Sequence, residues 1–364
     1  MKKKVTNRIS IKNTSVTNYL LAMVLVLIIA SILIMIQGSN PIEAFRQIIV
    51  GSMGSRAAIA RSIRWITPVI IASMAAVVAH RSGIINLGID GQVYVGAFFS
   101  ALAGAYISLP SVVHIPVAIL IGGISGALFA FIPSLLKGIL KINEMVVTLM
   151  FNYVAILMTE YLTMQIMNLD ADIRPEMIAT PEILETAKLT QIMPPYQATT
   201  GIFIAIVVFV VLFLFYKFTK RGYEWKMIGQ NFSFSKYGGI KTLKNYIIIF
   251  MTSGFIAGLA GAVEILGPHL RFRSNFSSNI GWDGIMVALI AKDNPKTTFV
   301  VAIIWGLIKA GSLAMERTTS VNRILVTLVQ ALFVLFITVD LRELLVKAKN
   351  FISKKTRKED EVHA

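Results

Sequence analysis

From Tyr19 to Ile36 the chain runs without a charged residue, and comparable apolar runs recur along its length. They fall at about 63–79, 93–109, 113–133, 145–167, 199–217, 246–266, 284–291, 297–315 and 324–339. A bilayer core asks for about 20 apolar residues per helical crossing, so ten such runs would take up roughly half of the 364 residues. Composition agrees: 55% of residues are apolar and only 15% are charged, and mean hydropathy is +0.72. Soluble domains carry about one quarter charged residues, so a soluble enzyme is excluded. The expected fold is an all-α polytopic membrane protein with about ten transmembrane or partial helices.

Charge at the span ends orients them. Residues 1–18 form a basic tail with Lys2, Lys3, Lys4, Arg8 and Lys12 and no acid, which places the N-terminus in the cytoplasm. The first run leads into Gln37-Gly38-Ser39-Asn40-Pro41 and not into a small-residue cleavage site, so it is read as a retained span. Counting onward, residues 168–198 fall outside, with Asp170, Asp172, Glu176, Glu182 and Glu185 against Arg174 and Lys188. Residues 218–245 fall inside, with Lys220, Arg221, Lys226, Lys236, Lys241 and Lys244 against Glu224. The tail at 341–364 is inside too, with Arg342, Lys347, Lys349, Lys354, Lys355, Arg357 and Lys358. The transmembrane domain is then 19–340. Arg46, Arg56, Arg61 and Arg64 oppose this pattern; an interfacial helix at 41–60 would hold them at the headgroups. The run at 284–291 is too short to cross alone and reads as a partial or broken helix, permitted where protein or a cavity shields its backbone.

The formal net charge of +16 therefore suits anionic lipid and calls for no nucleic acid. With no Cys there is no disulfide frame or thiolate chemistry, and His80, His114, His269 and His363 show no i, i+4 pair for zinc. No cofactor or metal site is expected on this chain. Nor does a G-x-x-x-x-G-K-[ST] phosphate loop occur, so any ATP and Mg must sit on a separate subunit.

Gly88-Ile89-Asp90-Gly91 and Gly281-Trp282-Asp283-Gly284 repeat one pattern, each at the start of an apolar run. On the expected topology the first lies at the cytoplasmic end of its unit and the second at the external end. That is the arrangement of an inverted-topology repeat, about 63–167 against 246–339. Shared turn chemistry would produce the same four residues. Asp90 and Asp283 fit a capping role at helix N-termini best, while a carboxylate at membrane depth also marks a pathway. Gly122 with Gly126, and Gly254 with Gly258, form G-x-x-x-G pairs suited to close helix packing. Asn152, Gln330 and Glu264 need interhelical partners or a ligand.

Asn86-Leu87-Gly88-Ile89-Asp90-Gly91-Gln92, followed by Gly96-Ala97, resembles a signature of permease subunits of bacterial ATP-binding-cassette (ABC) importers. The branch concerned serves sugars, branched-chain amino acids and nucleosides. Asn143-Glu144-Met145-Val146-Val147-Thr148-Leu149-Met150 with Asn152-Tyr153 resembles a second signature, of nucleoside-type members, and Gly281-x-Asp283-Gly284 with Asn294-Pro295 a third. Asp90 stands where the family usually has glutamate. Gly222 to Asn231 and Tyr237-Gly238-Gly239-Ile240 resemble the cytoplasmic coupling segment, with Lys226-Met227 and Phe234-Ser235 in place of the usual arginine-alanine and paired alanines.

The resemblance covers about residues 60–340 and implies a nucleoside-type permease of the bacterial cell membrane. Its partners would be ABC ATPase subunits, a second homologous permease forming a heterodimer, and an external substrate-binding lipoprotein. Trp225, Gly229, Gln230, Asn231, Lys236 and Tyr237 would couple to the ATPase; Asn86, Gly88, Asp90, Gly91, Gln92, Asn152, Asp283 and Gly284 would form the helix breaks or pathway. From the residues alone, a basic loop with Trp225, Phe232, Phe234 and Tyr237 would equally lie on the membrane surface. An ion-gradient-driven transporter or channel is the rival reading.

Overall fold

The computed structural model describes residues 23–169, 178–319 and 321–338. The basic tails at 1–18 and 341–364, and Asp170, Asp172, Arg174 and Glu176 of the acidic loop, lie outside the described residues. The described chain is helical apart from turns, the irregular segments 178–200 and 270–279, and isolated β-bridges. Among the described residues six helices are long and apolar enough to cross a membrane, or up to seven if a bent N-terminal pair counts as one span.

Two units divide the chain. One comprises the described parts of 1–48 and 312–364. In it α1 (Met23–Ile36) turns through 109° into α2 (Pro41–Met53). Gly38, with a positive φ of 76°, makes the turn that L residues disfavour. Asn40 ends the turn by accepting from the Ile42 N–H at 2.9 Å, and α13 spans Arg323–Thr338. Arg46 is paired with Glu43 at 3.3 Å on α2, as an interfacial helix would allow. Arg56, Arg61 and Arg64 are not on that helix.

They belong to α3 (Arg56–Arg81), the central helix of the second unit, residues 49–311. Ser55 caps α3 by accepting from the Ala58 N–H at 3.1 Å. Arg61 and Arg64 thus enter the bundle on a buried helix instead of staying at a surface, because buried acceptors are waiting for Arg64, as shown below. Around α3 pack α4 (Ile89–Tyr106), α7 (Gly201–Phe218), α10 (Thr242–Glu264) and α11 (Ile280–Ile290). Next to α4 lie α5 (Ser111–Leu140) and α6 (Glu144–Leu169). Two short helices, α8 (Lys220–Gln230) and α9 (Phe232–Tyr237), follow α7, and α12 (Pro295–Thr318) follows α11.

The two G-x-x-x-G pairs pack on one another. A Cβ on Gly126 would lie 2.9 Å from Gly258 Cα, and one on Gly122 would lie 2.8 Å from Ala262 Cβ. α5 and α10 therefore touch backbone to backbone in antiparallel sense. In lipid, where no hydrophobic force drives helices together, this contact supplies the dispersion energy.

Beyond Glu264 the chain makes a π-helical turn at Ile265–His269 and returns through 270–279. That return is tied to residues 178–183: Ile183 N–H donates to Leu270 O at 2.9 Å and Thr180 N–H to Phe272 O at 3.0 Å. The same loop lies over two helix ends, with Leu184 N–H bonded to Gly104 O and Leu189 N–H to Leu266 O, both at 2.8 Å. α11, at 11 residues, is about 16 Å long, half a bilayer core. It is the partial helix expected at 284–291, beginning four residues earlier.

Candidate functional site at the junction of two broken helices

α4 and α11 both begin inside the bundle, against the middle of α3: a Cβ on Gly284 would meet Ala72 Cβ at 2.7 Å. From there they run apart. α4 ends beside the 178–199 loop, whereas α11 leads to Asp293, which contacts His80 and Arg81 at the opposite end of α3. The two Gly-x-Asp-Gly echoes are therefore not at opposite ends of their units, as the topology count placed them. They meet, because each helix starts only after its chain has re-entered the bundle.

Asp90 joins them. Its Oδ1 accepts the Gly281 N–H at 2.9 Å and the Ser277 hydroxyl at 2.8 Å. Asp90 thus caps a helix N-terminus as expected, but the N-terminus of α11, not its own. The free N–H groups and the positive end of α11 compensate a carboxylate that is only 6% exposed. Gly281 must lack a side chain, since any Cβ would strike the Asp90 backbone.

Asn152 of α6 serves α4 instead. Its Oδ1 accepts the Gly91 N–H at 2.7 Å and its Nδ2 donates to Leu87 O at 2.7 Å. Thr148, one helical turn earlier, accepts the Leu87 N–H at 3.1 Å. Asn86, fully buried, donates through Nδ2 to Gln92 Oε1 and Ser253 Oγ, both at 3.0 Å, and accepts from the Gly88 N–H at 3.0 Å. Ser253 in turn donates to Ala75 O at 2.9 Å. The hairpin between α3 and α4 is thereby bolted to α3, α6 and α10, and none of these buried side chains is left without a partner.

Asp283 is held differently, by an ion pair with Lys309 of α12. Lys309 Nζ also donates to Ser278 O at 2.9 Å and lies 4.5 Å from the Trp65 ring centre. Near it, Arg64 pairs with Glu264 at 3.1 Å, and His269 Nε2 stands 3.2 Å from Arg64 Nη2 and 3.3 Å from Glu264 Oε2. An isolated charge at bilayer depth costs about 3 kcal/mol or more; here acids and bases occur together. Tyr94, one turn after Asp90, packs on Phe276 and Phe272 with ring centres 5.0 and 6.2 Å away. Among the described residues no group of three or more His, Asp or Glu is placed to hold a metal.

The structure brings Asn86, Gly88, Asp90, Gly91, Gln92, Asn152, Asp283 and Gly284 into one region. It adds Ser253, Ser277 and Lys309, which sequence reasoning did not single out, together with Thr148 of the second signature and Arg64, which had been expected at the headgroups. Lys309 was findable as a lone cation inside an apolar run; the serines carried no such signal.

The coupling candidates lie elsewhere, on α8 and α9, and divide in two. Trp225 is buried, its Nε1 bonded to Asn245 Oδ1 at 3.2 Å and its ring 4.8 Å from that of Phe215. Gly229 abuts the backbone of Arg81–Gly83. These two fasten α8 to the bundle. Gln230, Asn231, Lys236 and Tyr237 are exposed, with Tyr223, Phe232 and Phe234 forming an aromatic surface beside them.

Residues 58–337 match the family described as branched-chain amino acid transport system / permease component, and the chain belongs to it. It is 30% identical over 320 residues to the guanosine ABC transporter permease protein NupP of Bacillus subtilis, covering 87% of this chain and 91% of that one. The nucleoside ABC transporter permease protein NupB of Lactococcus lactis is 27% identical over 353 residues, 94% and 96% of the two chains. The glucose ABC transporter permease protein TsgB13 of Haloferax volcanii is 24% identical over 305 residues, 82% and 80%. No solved structure matches the chain significantly.

Proposed function

We propose that this member of the permease family is the membrane subunit of an ATP-driven importer of nucleosides. The observation that carries the reading is similarity to guanosine and nucleoside permeases along about nine-tenths of both chains. Both ends of the chain would be cytoplasmic, ATP and Mg would be bound by separate ABC ATPase subunits, and this chain would make and break no covalent bond. A second homologous permease would complete the path, and a substrate-binding lipoprotein would deliver the solute on the side of the 178–199 loop. The exposed aromatic surface of α8 and α9 would seat the ATPase, while Asp90, Gly281 and the Asn86–Asn152 network would hold the starts of α4 and α11, whose relative tilt would open one side or the other.

The buried set Arg64, Glu264, His269, Asp283 and Lys309 favours a second reading, transport driven by an ion gradient. The test is uptake of labelled guanosine, adenosine, ribose and riboflavin into vesicles containing this chain. It is run with and without the ATPase, second permease and binding protein, under ATP or an imposed ion gradient. Uptake of guanosine or adenosine that requires ATP and the ATPase is the expected result. Gradient-driven uptake by this chain alone would overturn the importer reading.

A further inference from the structure

The segment between α3 and α4 is anchored at both of its ends, and its near end touches α8. A Cβ on Gly83, whose φ is +73°, would lie 2.9 Å from Gly229 Cα; one on Gly229 would lie 2.8 Å from both Gly83 N and Ser82 C and would strike Arg81 O. No side chain separates the two backbones, so displacement of α8 along that contact has no soft layer to be absorbed in. Three residues past Gly83, Asn86 enters the buried network that positions the start of α4.

The same place holds the far end of α11. His80 Nδ1 is 3.2 Å from Asp293 Oδ1, and Arg81 Nη1 donates to Asp293 O at 3.4 Å. Asp293 lies three residues past the end of α11, in a tight turn with left-handed φ at Lys292 and Asp293. The Arg81 guanidinium also rests 4.8 Å from the ring centre of Tyr216, on the last turn of α7 just before α8.

We infer that the Gly83–Gly229 contact, with His80, Arg81 and Asp293 beside it, is the node through which movement of α8 reaches α4 and α11 at once. It reaches α4 through the covalent segment 83–88 and α11 through Asp293. His80, Arg81 and Asp293 are positioning residues in this scheme and touch neither solute nor nucleotide. The inference rests on the importer reading, since it needs an ATPase to move α8.

The test uses vesicles holding the full assembly, with labelled guanosine uptake and ATP hydrolysis measured on the same sample. Asp293→Asn and Gly229→Ala are each expected to keep the ATPase bound and hydrolysing while uptake per ATP falls about tenfold, within the usual span of coupling between sites. Asp293→Glu should restore part of the loss. Uptake and hydrolysis falling together, loss of the ATPase from the purified complex, or an unchanged ratio would each overturn the node. If Gly229→Ala does not accumulate, Asp293→Asn decides the matter. Absence of ATP-dependent uptake by the unaltered assembly would instead sink the importer reading and this inference with it.

Discussion

The Asp90 carboxylate on α4 accepts the Gly281 N–H at the start of α11 at 2.9 Å, so that two helices running in opposite directions share one acid at their meeting point. A single buried carboxylate satisfies a free helix donor and the Ser277 hydroxyl.

Asp90→Ala leaves both donors without a partner and should cost about 2–6 kcal/mol, one unsatisfied buried donor being worth roughly 1–3 kcal/mol. Asp90→Asn keeps an acceptor and should cost less. Thermal unfolding of the purified protein in detergent would rank the unaltered chain, Asp90→Asn and Asp90→Ala in that order; equal midpoints would contradict the capping role.

The Asp283–Lys309 pair should be strongly non-additive. Lys309→Met alone strands a buried carboxylate and is expected to cost about 3–5 kcal/mol, whereas adding Asp283→Asn should recover much of that. A double-mutant cycle on unfolding midpoints measures the coupling, and simple additivity would show the two side chains to be independent.

Gly258→Ala should force α10 away from α5, because the added Cβ meets the Gly122 carbonyl. Overpacking of this kind costs about 1–3 kcal/mol, with a matching drop in the detergent unfolding midpoint; an unchanged midpoint would mean the two helices can separate freely.

Trp225→Ala and Tyr237→Ala should differ in kind. Trp225 is 3% exposed and Tyr237 is 91% exposed. The first should lower the unfolding midpoint by loosening α8. The second should change stability by no more than about 0.5 kcal/mol, as surface substitutions do, while reducing co-purification of the ATPase. Destabilisation by Tyr237→Ala would mean that this side chain is not on a free surface.

The 178–199 loop carries a pH-dependent clasp. Lys188 bonds Glu182 and Glu185 at 2.9 and 2.6 Å, and Arg271 bonds Glu182 at 2.9 Å. Hydrogen bonds from Lys188 and Arg271 hold the Glu182 carboxyl below the usual glutamate range. Its contribution is therefore present above that range and is lost as pH falls through the lowered value. Lys188 is raised by Glu185 and Glu182, so its contribution persists through neutral pH and disappears only at alkaline pH. Limited proteolysis within 178–199 should rise modestly on acidification in the unaltered chain and be slightly faster at neutral pH in Arg271→Ala, where Lys188 alone still holds Glu182, the effects being small because these groups are solvent-exposed.

How much was legible in the sequence varies by residue. The apolar helices follow from apolar run length, since lipid leaves backbone groups no partner except each other. Of those described, however, six, or up to seven, are long and apolar enough to cross, not ten, and α8 and α9 arise outside the runs. The capping role of Asp90 followed from its glycine neighbours, but which helix it caps did not: the choice depends on α11 returning to the middle of α3, a long-range event with no local signature. Arg64 was placed at the headgroups because an arginine near a span end usually stays there. Glu264, 200 residues further on, draws it into the bundle.

Membrane class, the apolar runs and the glycine seams were thus written in composition and spacing, where local rules of burial and backbone satisfaction suffice, while the permease family was legible only as a resemblance of short motifs. Three things were decided by tertiary structure alone. The two acidic echoes meet, Trp225 and Gly229 face inward while Tyr237 faces out, and the α3–α4 hairpin lies against α8. Each depends on which buried polar group finds which partner, and in a low-dielectric interior that is settled by the whole chain at once.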